Sequence, residues 1–222
     1  MSQTTLLDYL RHGQPEGGSK YRGSRIDDPL SELGWQQMRS TVAGLEGWTR
    51  ILTSPMQRCR AFAEWLGSER NLAVEVIDDL REVGFGSWEG ATRAELLEQR
   101  ADEYHAFYAD PVNNHPAGAE PLPAFGGRVA DVFESAAKRY PQEHLLLVAH
   151  AGVIRATLGH VPRAPASHRQ RAPGANDARS RFPAVGRGSR RQAHKGRAIV
   201  GTGDHASDRG RNASRWRAVE MD

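Results

Sequence analysis

A single cysteine, Cys59, stands among 222 residues. That excludes an internal disulfide and any all-cysteine metal site, and it suits a reducing compartment, where such a thiol is commonly a small buried apolar residue. No stretch approaches the roughly 20 apolar residues of a membrane-spanning helix. The N-terminus also lacks a basic region followed by an apolar run and a small-residue cleavage site. The chain is therefore expected to be soluble, unexported and cytoplasmic, with no membrane partner. Its length suits one sizeable core and a single domain.

Acidic residues are what the last part of the chain lacks. Residues 162–222 hold 14 Lys+Arg against 5 Asp+Glu, whereas residues 1–161 hold 16 against 22. The net charge of +3 thus belongs to the tail, and it gives no reason to expect a nucleic-acid partner for the folded part. The same 61 residues contain no leucine and no tyrosine, and Arg, Ala, Gly, Ser and Pro dominate them. No window there keeps a period of two or 3.6 residues for long. The expectation is a basic low-complexity tail over 162–222, either disordered or GC-rich DNA translated out of frame, after a domain spanning 1–161.

Within residues 1–161, strand and helix patterns alternate. "TLLDYL", "RILTS", "AVEVI" and "HLLLVA" read as strands. "ELGWQQMRSTVAGL" reads as a helix entered at Ser31, and "QRCRAFAEWLGS" as one after Pro55. Further helices are expected over about Arg93 to Tyr108, over about Phe125 to Arg139, and after Gly152, with the Gly-rich loop "EVGFGSWEG" between the third strand and the third helix. This grammar predicts an α/β three-layer sandwich: a mostly parallel central sheet flanked by helices.

Ligands of open α/β sheets collect beyond the carboxyl ends of the strands. The first strand ends in Arg11-His12-Gly13, the second in "TSPMQRCR" with Arg58 one turn into the next helix, and the last in "VAHAGVIR" with His150 before a helix. Alone, each is an ordinary structural residue: a hydrogen-bonded histidine, a solvated arginine. Converging on one crevice, two histidines and two arginines make a cationic pocket suited to a phosphoryl group.

These stretches resemble the histidine phosphatase superfamily, also called phosphoglycerate mutase-like. Arg11-His12-Gly13 matches its Arg-His-Gly signature, and "YRGSRIDDPLSELGWQQ" its Gly-x-x-Asp-x-Pro-Leu segment. "LTSPMQRCRAFAEWL" is similar to its Ser-Pro-x-x-Arg segment, "LREVGFGSWEG" to its Phe-Gly-x-x-Glu-Gly loop, and "LLLVAHAGVIR" to its His-x-Gly ending. The resemblance covers residues 5 to about 160 in the family's order.

The resemblance implies that His12 is a nucleophile that becomes phosphorylated. It implies that Arg11, Arg58 and His150 hold the phosphoryl oxygens, that Glu82 is the general acid, and that Gln14, Arg22 and Ala151 contribute to substrate binding. No cofactor and no metal are expected, because guanidiniums and an imidazole supply the positive donors. A carboxyl walled by Phe85 and Trp88 would keep its proton toward neutral pH, as a general acid must. Glu89 of the same loop is read as its structural partner. The interval of 68 residues from Glu82 to His150 is shorter than in the family's cofactor-dependent mutases, which favours a phosphatase acting on a small phosphomonoester. "RHGQPEGGSKYRG" resembles the α-ribazole phosphatase branch, although the family's Gly-Gly-Glu-Ser loop is here Gly118-Ala119-Glu120-Pro121. Members of the family continue with a further helix and strand that complete the sheet edge. Residues 162–222 do not resemble these; if the tail is out of frame, an unpaired edge and poor stability are expected.

Other chemistries fit less well. "GQPEGGSK" fails as a P-loop because Ser19 stands where lysine is required. Cys59 lacks the arginine six residues on that a cysteine phosphatase needs; Trp65 is there. His144 and His150 lack a third ligand at a zinc spacing, and His105, His115 and His160 read as surface or loop residues. Mutase-type phosphoryl transfer, a catalytically weak phospho-ligand sensor and RNA binding through the tail are the alternatives. The sequence leaves the oligomeric state open.

Overall fold

The computed structural model describes residues 4–160 and, as backbone, 213–219. In chain order the elements are β1 (Thr4–Arg11), α1 (Glu32–Val42), β2 (Arg50–Thr53), α2 (Gln57–Arg70), β3 (Ala73–Val76), α3 (Arg93–Gln99), α4 (Ala101–Ala109), α5 (Leu122–Arg139), β4 (His144–Ala149), α6 (Ala151–His160) and β5 (Ala213–Val219). The strands form one sheet in the order β3-β2-β4-β1-β5, and every neighbouring pair is parallel.

Strand side chains alternate between faces, and the two faces are covered by different helices. Leu145, Leu147 and Ala149 of β4 join Leu7 and Tyr9 of β1 in a core with Phe125, Val129 and Phe133 of α5 and Val153 and Ile154 of α6. Leu146 and Val148 join Leu10 and Ile51 in a second core with Met38 and Val42 of α1 and Phe62 and Leu66 of α2. A strand buried on both faces needs a continuous apolar run, which "HLLLVA" supplies. The three-layer α/β sandwich follows from these two cores.

Ser31 caps α1 as expected, its Oγ accepting the Gly34 N–H at 3.1 Å. The helix expected over about Arg93 to Tyr108 is instead two. Arg100 adopts φ −144°, ψ 43° between α3 and α4. The break lets Tyr104 stack on Trp88, with ring centroids 5.8 Å apart, and brings the Trp88 Nε1–H to Glu103 Oε1 at 2.7 Å. Trp88, Leu96 and Tyr104 form a third, smaller core outside the sheet. The last helix begins at Ala151, two residues earlier than expected, directly after His150.

Within the segment expected to lack regular structure, Ala213–Val219 form a strand. It runs parallel to β1 in the register Thr4↔Ala213 to Leu10↔Val219, on the side away from β4. The edge of β1 that an out-of-frame tail is expected to leave unpaired is therefore covered. The physical reason lies in the backbone: an open edge of β1 presents a row of N–H and C=O groups that require partners, and seven extended residues suffice to meet it. The rest of the tail, 161–212 and 220–222, lies outside the described residues.

Candidate active site

Strands β1, β4 and β2 are neighbours and end at the same edge. The His12 N–H donates to the Ala149 carbonyl at 3.0 Å and the Ser54 N–H to that of Val148 at 3.0 Å. The chain thus leaves three adjacent strands side by side, at a place where the strand order reverses. His12 and His150 meet there, their ring centroids 5.2 Å apart with 62° between the planes.

The His12 ring has a defined proton arrangement. Its Nδ1 lies 2.7 Å from the carbonyl oxygen of its neighbour Gly13. A carbonyl can only accept, so Nδ1 carries the hydrogen and Nε2 keeps its lone pair. Burial pushes the imidazole pKa down to about 3, despite that bond; the charges of Arg58, Arg11 and Arg22 push in the same direction. His12 is therefore neutral across the physiological range. Gly13 is required here for packing: a Cβ on it would fall 2.2 Å from the Gly34 carbonyl oxygen in the first turn of α1.

Arg58 is buried among backbone acceptors, its Nη1 donating to Ile26 O at 3.0 Å and its Nη2 to Gly23 O at 3.2 Å. Its Nε–H has no hydrogen-bond partner among the described residues. A buried cation with an unspent donor favours an anionic ligand, since the desolvation of that donor is otherwise uncompensated. His150 is fully buried and is held neutral by burial and by the Arg58 charge. Its Nε2 lies 2.8 Å from Ser54 Oγ, which also accepts the Met56 N–H at 3.3 Å. Ser54 is a further member of the site, and its signal in the sequence is a serine between a strand end and a proline. Cys59 packs beside His150, donates its thiol hydrogen to Ala149 O at 3.4 Å, and is pushed up in pKa by burial. It is the buried apolar residue expected.

Glu82 reaches the site from the loop after β3. Its Oε1 accepts the Val83 N–H at 3.0 Å and its Oε2 the Gly152 N–H at 3.2 Å, in the first turn of α6. Burial holds its carboxyl above the ordinary range, against these bonds and the pull of Arg58. The direction is the one expected. Trp88 is committed to Tyr104 and Phe107, while the Glu82 carboxyl packs so closely on Gly152 that a Cβ there would lie 2.1 Å from Oε1. Glu89 is indeed structural: it accepts the Phe85 N–H at 3.0 Å, the Ser24 N–H at 3.3 Å and the Arg25 N–H at 3.2 Å, joining its loop to residues 23–25.

The remaining expected site residues divide. Arg11 is exposed, and its charge acts on both imidazoles. Ala151 opens α6, whose N-terminal dipole favours an anion. Gln14 is exposed on the rim; its N–H donates to Gln37 Oε1 at 2.9 Å and its carbonyl accepts the Ser31 hydroxyl at 2.9 Å. Arg22 is buried and spent on the rim loop, donating to Asp28 Oδ2 at 2.9 Å, Gly18 O at 2.7 Å and Glu16 O at 2.5 Å. It braces the loop after His12. Pro121 stands just before α5 and makes no side-chain cap hydrogen bond. An open cleft of about 420 Å³, lined in part by Ser24, Arg25, Arg81, Gly84 and Glu120, adjoins the Glu82 loop, and neither imidazole lines it. His144 sits at the opposite end of β4 from His150, its Nε2 3.1 Å from Asp8 Oδ2, while His105 and His115 are exposed; the side chain of His160 lies outside the described residues.

Comparison with known proteins agrees with this geometry. The histidine phosphatase superfamily (branch 1) matches residues 8–193. The bifunctional protein Rv2228c of Mycobacterium tuberculosis is 34% identical over 160 residues, which are 69% of this chain and 43% of that protein, so the chain spans less than half of that relative. The adenosylcobalamin/alpha-ribazole phosphatase of Escherichia coli is 27% identical over 161 residues, covering 71% of this chain and 79% of the other. Among solved structures, a mycobacterial glucosyl-3-phosphoglycerate phosphatase in complex with VO3 superimposes with a TM-score of 0.63 at 30% identity, covering 71% of this chain and 81% of that one. The motifs at three adjacent strand ends, the fold that gathers them and these relatives lead to one assignment: the chain belongs to the histidine phosphatase superfamily.

Proposed function

We propose that the protein is a phosphomonoesterase that works through a phosphohistidine on His12. One observation carries the reading: the 2.7 Å bond from Nδ1–H to the Gly13 carbonyl, which leaves Nε2 unprotonated and available. Nε2 attacks phosphorus, an N–P bond forms, the P–O ester bond breaks, and the Glu82 proton goes to the leaving oxygen. Water then attacks phosphorus, gives its proton to Glu82, and the N–P bond breaks to release inorganic phosphate. Arg11, Arg58 and His150 stabilise the equatorial oxygens throughout. Gln14 and Ala151 border the substrate, and Arg22 acts through the rim loop. These donors supply the positive charge that the step requires, so turnover should persist in a chelator.

A small phosphorylated metabolite is the substrate, and α-ribazole 5′-phosphate is the first compound to test, because a relative carries that name and the rim resembles that branch. The glucosyl-3-phosphoglycerate phosphatase likeness favours a second compound of that kind. The experiment is phosphate release from both, and from 3-phosphoglycerate, with His12→Ala alongside. Loss of about 10³-fold or more in His12→Ala, with a labelled, acid-labile phosphoprotein trapped only in the wild type, is expected. Equal turnover in the two proteins would refute the mechanism. Conversion of 3-phosphoglycerate to its 2-isomer without phosphate release would establish the mutase alternative instead.

A further inference from the structure

Glu82 lies in a segment with little regular structure, between 3-10 turns at Asp78–Leu80 and Gly86–Trp88, yet a general acid must be positioned closely. What holds it comes from α5. A guanidinium has five N–H donors in a rigid fork, and Arg128 uses every one. Its Nε and Nη2 clasp Glu120 at 2.7 and 2.8 Å. Its Nη1 donates to the carbonyls of Asp79 and, at 3.0 Å, Arg81, and the second hydrogen of Nη2 reaches the Glu82 carbonyl at 3.4 Å. The ring of Phe125 lies beneath the guanidinium, 4.7 Å from its carbon. Glu120 completes the grip from the other side, accepting the Gly84 N–H at 3.3 Å and donating its own N–H to the Gly84 carbonyl at 2.9 Å.

We propose that Arg128, clamped by Glu120, is the positioning residue of the general acid: it fixes the backbone of residues 79–84 so that the Glu82 carboxyl faces the leaving oxygen. The proposal rests on the reading of Glu82 given above. Lysine keeps the charge at position 128 but has a single ammonium in place of the fork, and cannot hold three carbonyls and a bidentate carboxylate at once. Arg128 hydrogen-bonds only to Glu120 and to the carbonyls of residues 79, 81 and 82, and lysine keeps the charge that acts on His150, so nucleophilic attack should be left intact.

The test uses leaving groups that differ in their need for a proton. p-Nitrophenyl phosphate expels a stable phenolate and needs little acid assistance, whereas glycerol 2-phosphate expels an alkoxide and needs it fully. Arg128→Lys in the full chain should lose about 10- to 100-fold in kcat/KM on glycerol 2-phosphate, and less than about threefold on p-nitrophenyl phosphate. Glu120→Gln should show the same selectivity, and decides the matter if Arg128→Lys gives no cooperative thermal transition. Equal losses on both substrates would mean a merely structural role and overturn the proposal. Glu82→Gln is run beside them. If it discriminates between the substrates while the clamp variants do not, the clamp fails alone; if it treats both alike, the role of Glu82 fails, and the clamp with it.

Discussion

The proposed nucleophile His12 and the proposed general acid Glu82 need opposite protonation states at the same pH, and one physical cause, removal from water, supplies both. Burial disfavours whichever form is charged, so it lowers the histidine pKa and raises that of the carboxyl. The consequences for pH dependence differ in sign. With its pKa near 3, His12 contributes no ionisation around 6.5, so its own titration leaves activity unchanged as pH falls through that value. In the proposed mechanism Glu82 serves as an acid only while protonated, so kcat/KM for an alkyl phosphate should fall as pH rises through its elevated pKa. Glu82→Gln should abolish that limb; a limb that survives in the variant would assign the ionisation elsewhere. Linkage gives a second reading of His12. Between pH 6.5 and 3 the unfolded imidazole binds a proton that the folded one does not. Its contribution to stability is thus fully present above 6.5 and is lost progressively as pH falls toward 3.

Helix α1 and the loop after β1 act as one device. Ser31 accepts the Gly34 N–H and donates to the Gln14 carbonyl, while Gly13 and Gly34 let the two backbones touch. Arg22 closes the other side of the same loop. Ser31→Ala removes a helix cap and a tie to the rim together, and should cost about 1 kcal/mol, a melting temperature lower by about 2–4 °C. Thermal unfolding measures this; an unchanged midpoint would show that the hydroxyl contributes nothing. "TLLDYL", "RILTS" and "HLLLVA" announced their strands because each is a short apolar run bounded by breakers. The break at Arg100 was not announced, because residues 93–108 carry an unbroken helical pattern and only the docking of Tyr104 and Glu103 on Trp88 requires the turn.

At the scale of the molecule, two cores on a parallel sheet align the ends of β1, β4 and β2, and β5 covers the far side of β1. A chain ending at Asn212 would lack that strand and leave the donors and acceptors of β1 open. It should melt at a lower temperature and self-associate with rising concentration, as measured by calorimetry and size-exclusion chromatography. Identical melting and elution would mean that the strand adds nothing to stability.

The sequence by itself determined the class of fold, because apolar periodicity is a local property, and it offered the candidates for the site: Arg11, His12, Arg58 and His150 from the ends of three strands, and Glu82 from the resemblance of its loop to that of the family. Other features are long-range. That Ser54 meets His150, that Glu82 packs on Gly152, that Arg22 is consumed by the rim, and that Arg128 grips the backbone of Glu82 all join residues distant in sequence or share out donors that composition cannot assign. The strand at Ala213–Val219 belongs with them. Its residues carry little apolar signal, and it is the hydrogen-bonding demand of the β1 edge, a property of the assembled sheet, that makes it a strand.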